Sequence, residues 1–223
     1  MMRGGDIRGI YHMTKKILLA AVASQFIFAY PVMAQDGSSG GSPWQFRLRG
    51  IGVLPDGGGD TTIGGSPEAD NAVVPEFDIS YFFTDNIAAE LILATSPHDL
   101  SLKNSTIGDV DLGDSMVLPP TLTLQYHFTP DNAFSPYIGA GVNYTLPYAE
   151  DAAGGTVTDL NVDGSFGVAL QAGADYWVND NWGLNIDVKK VYVDVDASIN
   201  NGAITGEVEL DPWVVGAGVS YRF

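Results

Sequence analysis

The stretch from Asp211 to Phe223 constrains the fold more than any other part of the chain. Trp213, Val215, Ala217, Val219, Tyr221 and Phe223 share one face of an extended strand, and Val214, Gly216, Gly218, Ser220 and Arg222 share the other. Alternation of period two, with the large groups all on one side, describes a strand between an apolar medium and a lining of small or polar groups. A transmembrane β-barrel has an outward apolar band bounded by aromatic girdles, and its strands read this way.

The pattern recurs along the chain. Trp44, Phe46 and Leu48 oppose Gln45, Arg47 and Arg49, and Phe77, Ile79, Tyr81 and Phe83 oppose Glu76, Asp78 and Ser80. Strands follow at about 87–94, 117–128, 137–146, 167–176 and from Trp182, which with the last stretch makes eight. Turns after the second, fourth and sixth strands are short. The other four connections are long, acidic and glycine-bearing, and residues 55–72 and 97–115 read as loops without periodicity. Short turns at one end and long loops at the other are what outer-membrane barrels show. The fold class expected is all-β, an eight-stranded antiparallel transmembrane β-barrel over 44–223.

Composition removes several alternatives. The 223 residues include no Cys, so disulfides and thiolate chemistry are excluded, and the net charge of −17 argues against a nucleic-acid partner. A lysine pair at Lys15-Lys16, an apolar run from Ile17 to Ala23 and small residues up to Ala34 read as a signal peptide over 1–34, with 1–12 an upstream extension of a start at Met13. Residues 35–43 form a Gly/Ser tail. Export and alternation together place the protein in the cell outer membrane.

A soluble barrel would store its bulky apolar groups inside. Here the face opposite the bulky one carries Gly, Ser, Thr, Gln and charges, so the apolar face is the outer one. The inward charges are Arg47, Arg49, Glu76, Asp78, Glu90, Asp175, Asp187, Lys189 and Arg222. Buried charges need partners, so a lumen network is expected, either a structural plug or a proton or ion path. Arg222, the inward charge of the last strand, is expected to pair with Glu76 or Asp78. Pro119-Pro120 cannot donate to a ladder, which implies a kink or gap in the wall. Val191, Val193 and Val195 have parity opposite to Val188. Either a bulge at Lys189-Lys190 returns them to the lipid face, or they line an apolar upper lumen. No cofactor, metal spacing or catalytic triad is readable, and His98 beside Ser96 is adjacency in sequence rather than a triad.

Several stretches resemble one family: Thr84-Asp85-Asn86-Ile87 with Glu90-Leu91, Leu118-Pro119-Pro120-Thr121-Leu122, Tyr137 to Tyr144, Asp175-Tyr176, and Leu210-Asp211-Pro212-Trp213-Val214 with Tyr221-Arg222-Phe223. In this order, over almost the whole chain after the leader, they resemble the OmpW family of outer membrane proteins. The resemblance implies a narrow passive channel for small hydrophobic molecules, with sideways release through the wall into the bilayer. Matched by position, Ile92 and Val191 line its apolar constriction. Tyr221 and Phe223 carry the assembly signal that outer-membrane barrels present to the outer-membrane assembly machinery. The alternative is a structural or adhesive barrel whose acidic loops engage cations, lipopolysaccharide or other surfaces.

Overall fold

A computed structural model of the chain describes residues 42–223. The leader expected over 1–34 and most of the tail lie outside the described residues. Fifteen strands follow in order: β1 (Trp44–Leu54), β2 (Gly58–Thr61), β3 (Ser66–Ala69), β4 (Ala72–Phe82), β5 (Ile87–Ala94), β6 (Ser96–Ser105), β7 (Gly108–Leu118), β8 (Thr121–His127), β9 (Phe134–Ala152), β10 (Leu160–Val162), β11 (Ser165–Trp177), β12 (Trp182–Tyr192), β13 (Asp194–Ile199), β14 (Ile204–Glu209) and β15 (Trp213–Arg222).

Eight of these close a barrel in the ring order β1-β4-β5-β8-β9-β11-β12-β15, and β15 returns to β1 antiparallel with Phe46 opposite Tyr221 and Leu48 opposite Val219. Alternation sets the faces. Leu48, Leu124, Ile138, Val142 and Ile186 point outward, and Ile186 is 63% exposed. Their opposite neighbours Arg47, Arg49, Thr123, Gln125 and Asp187 are buried in the lumen. Apolar groups left bare of protein on every strand are satisfied by hydrocarbon, which fixes the barrel as membrane-spanning. Trp44, Tyr81, Phe83, Trp182, Tyr221 and Phe223 ring the short-turn end in edge-to-face contacts, Tyr221 to Phe223 at 4.9 Å and Trp182 to Tyr221 at 4.8 Å. In outer-membrane barrels that end is periplasmic.

Inward glycines make room for the long lumen side chains. A Cβ on Gly141 would collide with the Leu122 carbonyl and come within 2.6 Å of the Thr123 Cα across the β8–β9 ladder. Gly141→Val is therefore expected to lower barrel stability by about 1–3 kcal/mol, seen as a lower temperature for loss of the compact, heat-modifiable form on gels. An unchanged midpoint would mean that the ladder can spread there without cost.

The long connections are not loops, which corrects the sequence reading. β6 and β7 form a hairpin that continues β5 and β8, and β7 pairs with an upper β9 that runs on to Ala152 rather than ending near Leu146. β10, β13, β14 and β2 make a second sheet. Leu102, Leu112, Val157, Leu160 and Ile199 pack as a buried cluster of this crown. The strands were hidden because their outward positions carry acids and glycines, while too few apolar residues alternate in any one segment. The bulge alternative is also settled. The ladder between β11 and β12 runs without a shift through Gln171↔Lys189, Leu170↔Lys190 and Ala169↔Val191, so Val191, Val193 and Val195 all point inward and are buried.

Candidate functional site

The lumen has two storeys. The lower one is a charged floor. Arg47 grips Asp175 with two nitrogens, Nη2 to Oδ2 at 2.7 Å and Nε to Oδ1 at 3.3 Å, and also pairs with Glu90. Arg49 reaches Glu76 at 2.9 Å, Asp78 at 2.8 Å and Asp187 at 3.3 Å. Lys189 completes the set with Glu76 at 2.9 Å and Asp187 at 2.8 Å. Of the nine charges read as inward, these eight come together. Three cations face five carboxylates in a space with almost no water-accessible surface.

Neutral groups that the sequence reading put on the inward face, but not in the network, stitch it shut. Gln125 and Gln171 donate to the same Glu90 oxygen at 2.6 and 2.9 Å, and Gln171 also donates to Asp187 at 2.9 Å. The Tyr137 hydroxyl donates to Asp187 at 2.8 Å, and the Ser220 hydroxyl donates to Asp175 at 2.5 Å. His127 closes the short-turn end, hydrogen-bonded to Gln125 at 3.2 Å and set against Tyr137 and Phe82. All sit at inward parity, which was the available signal. Charge drew attention first, and neutral donors are what a carboxylate excess requires.

Arg222 does not join, and the expected pairing with Glu76 or Asp78 is wrong. It lies opposite Gln45 at the last rung of the β1–β15 ladder, below the charged floor, and Ser220 is the inward group that reaches the network. Its guanidinium stacks 4.1 Å from the Trp177 ring and donates to the Asp180 carbonyl at 2.8 Å. Parity gave the face correctly but not the height along the axis. Arg222→Ala is accordingly expected to cost only about 0.5–1 kcal/mol, the value of a rim cation–π contact, in a thermal unfolding series.

Above the floor lies a largely apolar cavity of about 120 Å³, open in part to solvent. Glu76 and Lys189 form its base, and both Ile92 and Val191 face it. Val191, Val193 and Val195, packed with Ala169 behind them, form one buried patch of its wall, and Ile51 and Val214, packed with Ala72 and Val74, form another.

One length of this wall lacks a ladder. Pairing runs from β5 to β8 up to Ile92↔Thr121 and resumes from β6 to β7 at Ser96↔Val117. Among the described residues, Leu93, Ala94 and Thr95 have no ladder partner across from Leu118, Pro119 and Pro120. The register is the same on both sides, so this is a missing stretch rather than a slip. Proline explains it, having no N–H to give. On the other side the seam holds, since Tyr144 N–H donates to the Pro120 carbonyl at 3.0 Å and Asn143 donates to the Pro119 carbonyl at 3.2 Å.

Comparison with known proteins gives the same answer as the architecture. The OmpW family profile matches residues 45–223. The uncharacterized outer-membrane protein y4mB of Sinorhizobium fredii is 48% identical over 198 residues, covering 85% of this chain and 84% of that protein. Outer membrane protein W of Vibrio cholerae is 34% identical over 217 residues, 92% of this chain and 96% of that one. Among solved structures, the outer membrane protein OprG from Pseudomonas aeruginosa superposes with a TM-score of 0.77 at 30% identity, covering 82% of this chain and 97% of that one. With a closed eight-stranded barrel, an apolar outer band and these relatives, the chain belongs to the OmpW family of outer-membrane β-barrel proteins.

Proposed function

We propose that the barrel is a passive conduit that admits small hydrophobic molecules to the apolar cavity and releases them sideways, between β5 and β8, into the bilayer. One observation carries the reading: an apolar cavity rests on a sealed ion-pair floor and has a stretch of unpaired wall at Pro119-Pro120 beside it. A solute that enters the cavity meets charges in its axial path, where an apolar molecule would have to displace paired ions, at a cost of several kcal/mol. The sideways path leads to hydrocarbon. Ile92 and Val191, at the level where cavity meets floor, are the proposed constriction. Tyr221 and Phe223, on the exposed rim, are the proposed signal to the assembly machinery. Liposomes carrying the protein should take up a hydrophobic dye faster than empty ones; equal rates would refute the reading.

A second reading has an observation of its own. In the crown, Asp194 lies opposite Glu209, Asp196 opposite Glu207, and Glu207 opposite Asp60. Like charges directly across a ladder repel, so the crown is built for a setting that screens them, such as the divalent cations of a lipopolysaccharide layer. Deleting residues 194–209 should abolish cation-dependent adhesion if this surface is the functional one, and leave it unchanged if the conduit is.

A further inference from the structure

The wall above the eight-stranded ring is not one sheet. The strands of the crown divide into two jaws. Upper β9, β7, β6 and β3 pair in that order as the first, and β10, β13, β14 and β2 as the second. Among the described residues no ladder joins them, although β2 leads into β3 through residues 62–65 and β9 leads into β10 through residues 153–159. The crown therefore has two seams.

Each seam has a proline on the edge strand of the first jaw. Pro67 of β3 lies opposite Leu102 of β6, and Pro147 of β9 lies opposite Val117 of β7, so the free edge of each strand is turned to the second jaw. Proline has no N–H to give a ladder and belongs on sheet edges. A Cβ added to Gly57, at the foot of the second jaw, would lie 3.9 Å from the Pro67 carbonyl oxygen. The edges approach there without pairing. Pro67 and Pro147 both line the cavity, which thus reaches each seam.

What the jaws share is an apolar cluster. Leu102 and Leu112 come from the first jaw and Leu160 and Ile199 from the second, and all four are buried together. Leu112 and Leu160 also line the cavity. The cluster is the roof of the cavity, as the ion pairs are its floor. Hydrophobic contact is non-directional, so an apolar molecule wedged between these side chains replaces the contacts it breaks. A polar one has no hydrogen-bond partner to gain there and loses its water.

We propose that the crown is a two-jawed gate, through which a small hydrophobic solute enters from outside by parting the roof along the Pro67 and Pro147 seams. The solute binds the parted jaws better than the closed ones, because the side chains it touches are buried against each other when the roof is shut. Such a difference in affinity is what shifts an equilibrium. The gate is opened by the class of molecule that it admits. The inference rests on the conduit reading and supplies its entrance, separate in place from the exit at Pro119-Pro120.

The test uses Leu102→Cys with Ile199→Cys, one cysteine on each jaw of a chain that has no other. Bridging the pair by oxidation or by a short thiol-reactive linker, verified by mass, should reduce uptake of a hydrophobic dye into liposomes to the rate of empty ones. A reductant should restore it for the disulfide. A bridged barrel that takes up dye as fast as the unbridged one overturns the gate and leaves the conduit with another entrance. Spin labels on Asp111→Cys and Thr205→Cys, both exposed and on opposite jaws, give a second measure that needs no bridge. Their separation should lengthen when dye is added, while that of Asp60→Cys with Asp196→Cys, within one jaw, should stay as it is. An unchanged separation between the jaws also overturns the gate. If the parent protein takes up dye no faster than empty liposomes, the conduit reading falls and its entrance falls with it.

Discussion

Arg49→Leu should destabilise the barrel by about 3–5 kcal/mol, the cost of removing one partner from a buried charge pair. Arg49 touches Glu76, Asp78 and Asp187 at once. Without it only Lys189 is left among those three carboxylates, and Lys189 reaches two of them. Asp78 is then stranded, because among the described residues its one ion-pair partner is Arg49. The second substitution follows from this. Arg49→Leu with Asp78→Leu removes the stranded charge together with its partner, and replacing a buried pair by apolar groups is often close to neutral. The double variant should recover more than half of the loss. Urea unfolding in lipid vesicles measures both. A single variant as stable as the parent would show that the network is hydrated, and a double variant no better than the single would show that packing, not charge, sets the cost. Arg222→Ala, at the rim, is the internal contrast: its small effect separates lumen charge from charge in general.

Much of this fold was legible because the membrane imposes a rule that single residues obey. A lipid-facing position has to be apolar, so parity along β1, β4, β11 and β15 reads directly from the chain, and the register of those strands agrees with it. The crown was illegible for the opposite reason. Outside the bilayer no medium enforces alternation, and β13 carries Asp194 and Asp196 outward against Val195 inward in only six residues. Such a strand depends on partners distant in sequence: Ile199 of β13 pairs with Leu160 and shares a buried cluster with Leu102. The valines after Lys190 were ambiguous because the rule is satisfied there either way: a valine is at home in lipid and in an apolar lumen. What decided the matter was the unbroken ladder with β11. The floor was legible as to its charges and opaque as to its height, which is how Arg222 was misplaced. Parity is a two-valued code, whereas depth along the axis depends on strand tilt and on the partner's register.

The largest functional effect should come from closing the wall. Ala94 and Pro119 both face the cavity, and the preserved register puts them opposite one another in the unpaired stretch. If the strands closed there, their Cα atoms would lie about 4.5–5.5 Å apart, within the range of about 4.4–6.8 Å that a disulfide spans, so an oxidised bridge holds the wall in its closed state. The chain has no cysteine, so Ala94→Cys with Pro119→Cys introduces the only thiols. If the solute leaves between β5 and β8, oxidation of this variant should reduce dye uptake to the rate of empty liposomes, and a reductant should restore it. Reversibility matters, because Pro119→Cys also returns an N–H to the ladder and can narrow the opening by itself. That contribution is present in both redox states, so the difference between them isolates the bridge. Asn143→Ala supplies the opposite perturbation. It removes the side chain that holds the Pro119 carbonyl and Thr121, and should quicken uptake by loosening the segment. A cross-linked barrel, its bridge verified by mass, that still passes dye at the reduced rate would place the exit elsewhere. The charged floor would then be the part to re-examine, because it is the remaining barrier between the cavity and the short-turn end.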